Sequence, residues 1–114
     1  MSSALWEQTC VPCRGTAQPL TEEDLNRCLR ELPDWTVVEE EGVRKLTRSY
    51  TFPDFRRAME FANRVGALAE EANHHPRLCT EWGAVTVMWW THSINDLHRN
   101  DCIMAARTDR AGVS

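Results

Sequence analysis

Apolar side chains recur at three- and four-residue intervals in some stretches of the chain and at every second position in others. The first helical stretch opens at Thr21, a residue type that favours the start of a helix, and three acidic residues suited to the positive end of a helix dipole follow it. Helical spacing then continues through Leu25, Cys28, Leu29 and Leu32. The pattern predicts a first helix that ends by Pro33.

A β-hairpin is predicted next, between Trp35 and Phe52. Val37 and Val38 favour a strand, the pair Glu41-Gly42 is typical of a turn, and polar and apolar positions alternate from Val43 onward. Two strands joined by this turn account for the stretch.

A second, longer helix is predicted to open at Pro53 and Asp54, because proline is favoured in a first helical turn. It should run to about Asn73. An apolar stripe lies along it, which we expect to pack on a sheet: Phe55, Met59, Ala62, Val65, Ala69 and Ala72.

The remaining pattern predicts a second hairpin and a last helix. A short strand over 78–82 turns at Gly83 into a strand over 84–92, and a helix starts near His98 with Asp101 in its first turns. The order αββαββα indicates an α+β fold with a four-stranded antiparallel sheet and three helices packed on one face.

With 114 residues, the chain has the size of one domain. Residues 1–19 lack sustained periodicity and contain Pro12, Gly15 and Pro19, which predicts an extended N-terminal arm. The single folded domain is then expected over residues 20–114.

Charge and N-terminal sequence narrow the function classes. Seventeen acidic residues oppose 13 basic ones, and Lys45 is the one lysine of the sequence, so we expect no nucleic-acid surface. The start of the chain does not resemble a signal peptide and no stretch is apolar enough to span a membrane, which predicts a cytoplasmic protein.

The five cysteines form an odd set without a disulfide framework, which predicts reduced thiols. Cys10 and Cys13 have the CxxC spacing of zinc and redox sites. Without a second CxxC this is a weak signal, and the pair is interpreted as structural or incidental.

All four histidines, His74, His75, His92 and His98, fall between positions 74 and 98. Imidazoles titrate near neutral pH, so the cluster suits either acid/base catalysis or a metal site. One hairpin connects the end of the second helix to His92 and can bring the histidines together. Adjacent histidines diverge and neither HExxH nor a paired CxxC occurs, which disfavours a metal site.

The spacing of these residues resembles one enzyme family, the pterin-4a-carbinolamine dehydratases. The resemblance rests on Glu70, the run His74-His75-Pro76, Trp82, His92 and Asp101. It covers about Thr21 to Arg107 and is strongest with the bacterial form that accompanies phenylalanine hydroxylase. Further similar pieces are Pro33-Asp34-Trp35, the run from Leu78 to Gly83, and the runs from Trp89 to Ser93 and from Leu97 to Asp101.

What the resemblance implies is a hydro-lyase that dehydrates 4a-hydroxytetrahydrobiopterin to quinonoid dihydropterin, recycling the pterin of phenylalanine hydroxylase. It implies the αββαββα fold, no cofactor, no metal, and a homodimer or homotetramer. The substrate would be a small-molecule pterin, with no nucleic acid and no membrane as partner.

By motif position, the resemblance assigns His74 and His92 as an acid/base pair and His75 as a catalytic ligand that also holds the pterin. It favours Asp101 as a catalytic support, although the residue type alone fits a helix-start acid equally well. Pro76, Trp82 and Glu70 are candidate substrate-binding residues, and His98 is expected to be a bystander.

Two alternatives stay open at this point. The fold also serves in animals as a noncatalytic dimerisation or regulatory partner of another protein, and a histidine-ligated metal site is a weaker possibility. Retention of His74, His75 and His92 at the family's spacing favours the enzyme.

Overall fold

In a computed structural model of the protein, residues 4–11 and 17–112 are described. Within them the chain forms three α-helices, four strands and one short 3-10 helix, and the α+β order αββαββα is confirmed. The elements after the 3-10 helix Leu5–Glu7 are α1 Glu22–Arg30, β1 Thr36–Glu40, β2 Val43–Thr51, α2 Phe55–Ala72, β3 Arg77–Glu81, β4 Ala84–Trp89 and α3 Arg99–Gly112.

The strands form one antiparallel sheet in the order β1-β2-β4-β3. Its register places Leu46 of β2 opposite Trp89 of β4, and Leu78 of β3 opposite Val87 of β4. Because side chains alternate along a strand, these residues share the face on which α2 and α3 pack. The other face carries Ser49 and Thr86, whose hydroxyl groups are 2.8 Å apart.

The ends of the first two helices are set by local side-chain chemistry. Thr21 accepts a hydrogen bond from the backbone N–H of Asp24, and Asp54 accepts one from the N–H of Arg57. Asn73 ends α2 in the left-handed conformation, with φ of 53°. Asparagine tolerates this conformation better than most residues, so the chain can turn sharply out of α2 here.

The apolar stripe predicted along α2 is partly wrong. Ala62, Val65 and Ala69 are buried as expected, but Phe55 and Met59 are exposed. Ala58 and Phe61 are completely buried in their place. The face of α2 that meets the sheet is therefore rotated relative to the predicted stripe, and Phe55 and Met59 lie on its exposed side.

Strand β4 is also shorter than predicted, since it ends at Trp89 rather than at His92. Beyond it, Thr91 pairs with Asp96 in an isolated antiparallel bridge. The bridge closes a tight loop in which Asn95 has φ of 48°. His92 therefore lies in this loop.

The described part of the N-terminal segment packs against the domain. Leu5 is 2% exposed and belongs to the hydrophobic core, while Leu20 donates a backbone hydrogen bond to Leu97. Cys13, the second residue of the CxxC pair, lies outside the described residues. Among the residues that are described, no helix is long and apolar enough to cross a membrane.

Near the C-terminal end of α3, one carboxylate joins three parts of the fold. Asp109 accepts hydrogen bonds from the Trp35 indole at 2.9 Å, from Arg48 at 2.7 Å and from the Tyr50 hydroxyl. Burial of Tyr50, together with its hydrogen bond to Asp109, raises the pKa of this phenol above its usual range. The residue just before β1, the second half of β2 and α3 are thereby held together.

We expect Asp109→Ala to lower the free energy of unfolding by about 2–4 kcal/mol, because Trp35 and Tyr50 would keep buried donors without their acceptor. Urea denaturation measures the change. Asp34→Ala is the matched control: Asp34 lies 3.5 Å from Arg48 but its side chain is 67% exposed. Its loss should cost less than about 1 kcal/mol, and equal costs for the two variants would contradict the role given to Asp109.

Candidate active site

Three of the four histidines converge on one cavity of about 530 Å³ at the end of the sheet where β4 leaves and β3 begins. They are His74, His75 and His92. The sequence predicted that the hairpin would bring these residues close together. The remaining lining is formed by Cys10, Val11, Ala72, Asn73, Thr91, Ser93 and Asn100.

His74 is positioned by the turn that ends α2. After the left-handed Asn73, the backbone N–H of His74 donates to the carbonyl of Ala69, which closes the end of the helix. The imidazole then lies nearly parallel to the Trp89 ring, with 5.6 Å between centroids. His74 is 9% exposed, so its orientation is set by packing as well as by hydrogen bonding.

Asp101, which is completely buried, lies behind His74. Its Oδ1 is 2.6 Å from Nε2 of His74, and its Oδ2 accepts from the Thr91 hydroxyl at 2.8 Å and from the backbone N–H of His98 at 2.9 Å. The bond to His98 caps the first turn of α3. Asp101 therefore serves both as a helix-start acid and as the partner of His74.

His75 follows His74 directly but its side chain is solvent-accessible. Its Nε2 is hydrogen-bonded to the carboxylate of Glu70, one turn back on α2. Adjacent residues in an extended segment point to opposite sides, so one imidazole is buried against Asp101 and the other faces the cavity from its solvent side.

His92 approaches from the loop after β4. Its Nε2 lies 3.3 Å from the backbone carbonyl of His75, and its ring contacts Trp90 at 4.5 Å between centroids. Each of the three imidazoles thus has Nε2 next to an oxygen acceptor. In the neutral ring this arrangement favours the tautomer with hydrogen on Nε2 and leaves Nδ1 as the basic nitrogen.

The other predicted site residues have different positions. Pro76 is the half-buried link from His75 into β3, and Glu70 is hydrogen-bonded to His75, but neither Pro76 nor Glu70 lines the cavity itself. Trp82 lies in the turn between β3 and β4, at the opposite end of that hairpin from the histidines, and is 71% exposed. Within one chain, Trp82 does not line the cavity that the histidines share. A contact between Trp82 and the substrate stays a prediction.

His98 lies outside the cavity lining. It caps α3, because its Nδ1 accepts from the N–H of Asn100. Burial lowers the pKa of His98 below its usual value, Asp101 opposes this shift and His74 adds to it.

Sequence reasoning missed Thr91, Asn100 and the pair Cys10 and Val11. Thr91 directly precedes His92, and Asn100 directly precedes Asp101. Their position next to predicted site residues was the one feature of the sequence that could have identified them. Cys10 and Val11 are more than sixty residues away from the histidines in the sequence, so nothing beside them indicates that they belong to the cavity. Among residues 4–11 and 17–112, no group of three or more His, Cys, Asp or Glu side chains is placed to hold a metal ion.

Replacement of Thr91 tests the buried hydrogen bonds of Asp101. Thr91→Val keeps the shape of the side chain but removes the hydroxyl donor, so we expect the free energy of unfolding to fall by about 1–3 kcal/mol in denaturant titrations. Thr86→Val makes the same change on the solvent-facing side of β4, and should alter stability by less than about 0.5 kcal/mol. A cost at Thr91 no larger than at Thr86 would contradict the role assigned to its hydroxyl group.

Comparison with known proteins gives a consistent family. The family described as Pterin 4 alpha carbinolamine dehydratase matches residues 18–111. A protein of Chlorobium limicola with the provisional name pterin-4-alpha-carbinolamine dehydratase is 60% identical over 104 residues, covering 91% of this chain and 92% of the relative. A relative from Chlorobaculum tepidum with the same provisional name is 56% identical, over 89% of this chain and 91% of its own length.

A solved structure from Brucella melitensis, described as a transcriptional coactivator/pterin dehydratase, superposes with a TM-score of 0.74 at 33% identity. The match covers 82% of this chain and 98% of that one. Since the family match spans most of the chain and the curated relatives are more than half identical to it, the chain belongs to the pterin-4-alpha-carbinolamine dehydratase family.

Proposed function

We propose that the protein dehydrates 4a-hydroxytetrahydrobiopterin to quinonoid dihydropterin and water. The observation that carries the proposal is the convergence of His74, His75 and His92 on one cavity, with Asp101 buried behind His74. The reaction moves protons and breaks one C–O bond, which imidazoles can catalyse at neutral pH.

In the proposed mechanism, His74 and His92 are the acid/base pair. The base removes the proton from N5, the C4a–O bond breaks, and the acid protonates the departing hydroxyl so that it leaves as water. A C4a=N5 double bond remains in the product. We assign the base to His74, because the Asp101 carboxylate stabilises the imidazolium that forms when His74 takes up a proton. His92 is then the acid, which acts as the imidazolium and gives the proton on Nδ1 to the departing hydroxyl.

His75 holds and polarises the pterin in this mechanism. Glu70 orients His75 through the hydrogen bond to Nε2. Pro76 fixes the backbone after the histidine pair, because proline locks its own φ and restricts the residue before it to extended conformations.

We further propose that the reaction recycles the pterin of phenylalanine hydroxylase in the cytoplasm, and that the protein is a homodimer or homotetramer. The exposed apolar side chains Phe55 and Met59, both on α2, are consistent with contact between subunits.

A second candidate is a noncatalytic role as partner of another protein. The Brucella melitensis structure is described as both a transcriptional coactivator and a pterin dehydratase, and this description supports considering a noncatalytic role. A scaffold has no need of three histidines arranged around a cavity, so the dehydratase is favoured. The two functions also separate by experiment, because replacement of the cavity histidines should leave a purely scaffolding role intact.

The activity test adds purified protein to a phenylalanine hydroxylase reaction and follows the transient carbinolamine by its absorbance. Wild-type protein should accelerate the decay, whereas His74→Ala and His92→Ala should each reduce kcat/KM by about 10²- to 10⁴-fold, the range contributed by a positioned acid or base. His98→Asn is the control, since asparagine retains a helix cap and position 98 is outside the cavity lining.

Wild-type rates in both alanine variants would contradict the assignment of His74 and His92. No acceleration by the wild-type protein at any concentration would contradict the proposed function itself.

A further inference from the structure

A short segment near the N-terminus forms one side of the candidate cavity. Residues 8–11, here called the N-terminal strap, precede the part of the chain that matches the family, which begins at residue 18. Two strap residues, Cys10 and Val11, nevertheless line the same cavity as His74 and His92. The pocket wall therefore includes a segment that the family match does not cover.

Asn100 holds the strap at Val11 by two hydrogen bonds. Its Oδ1 accepts from the backbone N–H of Val11 at 3.0 Å, and its Nδ2 donates to the backbone carbonyl of Val11 at 2.6 Å. The side-chain amide thus pairs with both backbone groups of one residue, as a neighbouring strand would. Because Asn100 is 3% exposed and adjoins Asp101 in α3, it fixes Val11 relative to the catalytic groups.

Two arginines of α3 hold the strap further upstream. Arg99 donates to the side-chain oxygen of Gln8 from Nε at 3.0 Å and from Nη2 at 2.7 Å. Arg107 donates to the backbone carbonyls of Trp6 and Gln8. With Leu5 buried in the core, the strap is anchored at both of its ends.

Val11 is unusual among the cavity residues, because it is apolar and 55% exposed. A branched apolar side chain at the edge of a binding pocket becomes more buried when a flat ring system packs against it. The histidines supply polar groups to this cavity, whereas Val11 supplies an apolar contact.

We infer that the N-terminal strap is a wall of the pterin site, with Val11 packing on the bicyclic ring of the substrate and Asn100 as the positioning residue for Val11. The inference rests on the proposed dehydratase function. Neither residue exchanges a proton with the substrate, so their replacement weakens binding and leaves the chemical step in place. The expected signature is a change in KM rather than in kcat.

Thiol alkylation tests the location of the strap directly. In a Cys13→Ser background, the protein is treated with N-ethylmaleimide with and without saturating 7,8-dihydrobiopterin, and labelling is followed by peptide mass spectrometry. Binding of the dihydropterin should slow labelling at Cys10 by about fivefold or more, since a pocket shields most of its ligand and its walls from solvent. Cys79, exposed on β3 and outside the cavity lining, is the internal control and should react at an unchanged rate.

Kinetics test the contribution of the strap to substrate affinity. Val11→Ala and Asn100→Ala should each raise KM for the carbinolamine by about five- to tenfold with kcat changed less than about twofold. Thr9→Ala is the matched control, because Thr9 is an exposed strap residue that does not line the cavity. Asn100→Asp keeps the acceptor for the Val11 N–H but loses the donor, and should fall between wild type and Asn100→Ala.

The outcomes separate the inference from the function on which it rests. If the wild-type protein is active and binds the dihydropterin, but Cys10 is not protected and Val11→Ala leaves KM unchanged, the inference is overturned and the function stands. If the wild-type protein neither binds the dihydropterin nor dehydrates the carbinolamine, both are overturned. Replacement of the buried Asn100 could prevent folding. Val11 is a surface residue, so Val11→Ala should fold and still tests the inference.

Discussion

The buried carboxylate of Asp101 is the interaction on which the arrangement of the site depends. It receives the His74 imidazole from the end of α2, the Thr91 hydroxyl from the loop after β4 and the His98 N–H from the start of α3. A buried carboxyl group is tolerated in the protein interior only when hydrogen-bond partners of this kind surround it. The same requirement brings three separate parts of the chain together at the cavity.

Much of the fold was predictable because its signals are local. Thr21 and Asp54 cap helices as their residue types suggest, and the Glu41-Gly42 turn has the positive φ values that a tight hairpin needs. The errors arose where tertiary packing decides. Phe55 continues the apolar spacing of α2 but lies on its exposed side, and β4 stops at Trp89 because Thr91 pairs with Asp96 instead.

The candidate site shows the same division. His74, His75 and His92 were recognisable from residue type and spacing, and the hairpin between them predicted that they would meet. The contribution of Val11 was not predictable, because it depends on hydrogen bonds to Asn100, which lies 89 positions further along the chain. Asp101 could be interpreted from the sequence either as an acid at the start of a helix or as the partner of a histidine. Both interpretations apply, because one carboxylate oxygen is bound to His74 and the other caps α3.

Helix α3 carries a buried or half-buried carboxylate near each end, Asp101 behind His74 and Asp109 beside the open end of the β1–β2 hairpin. At 1.5 Å per residue the two are separated by about 12 Å along the helix, beyond the range at which substitutions usually interact energetically. Changes that strengthen the Asp109 end should therefore add to stability independently of the cavity. Substitutions around Asp109 could therefore raise the free energy of unfolding without the loss of activity that stabilising substitutions near an active site often cause.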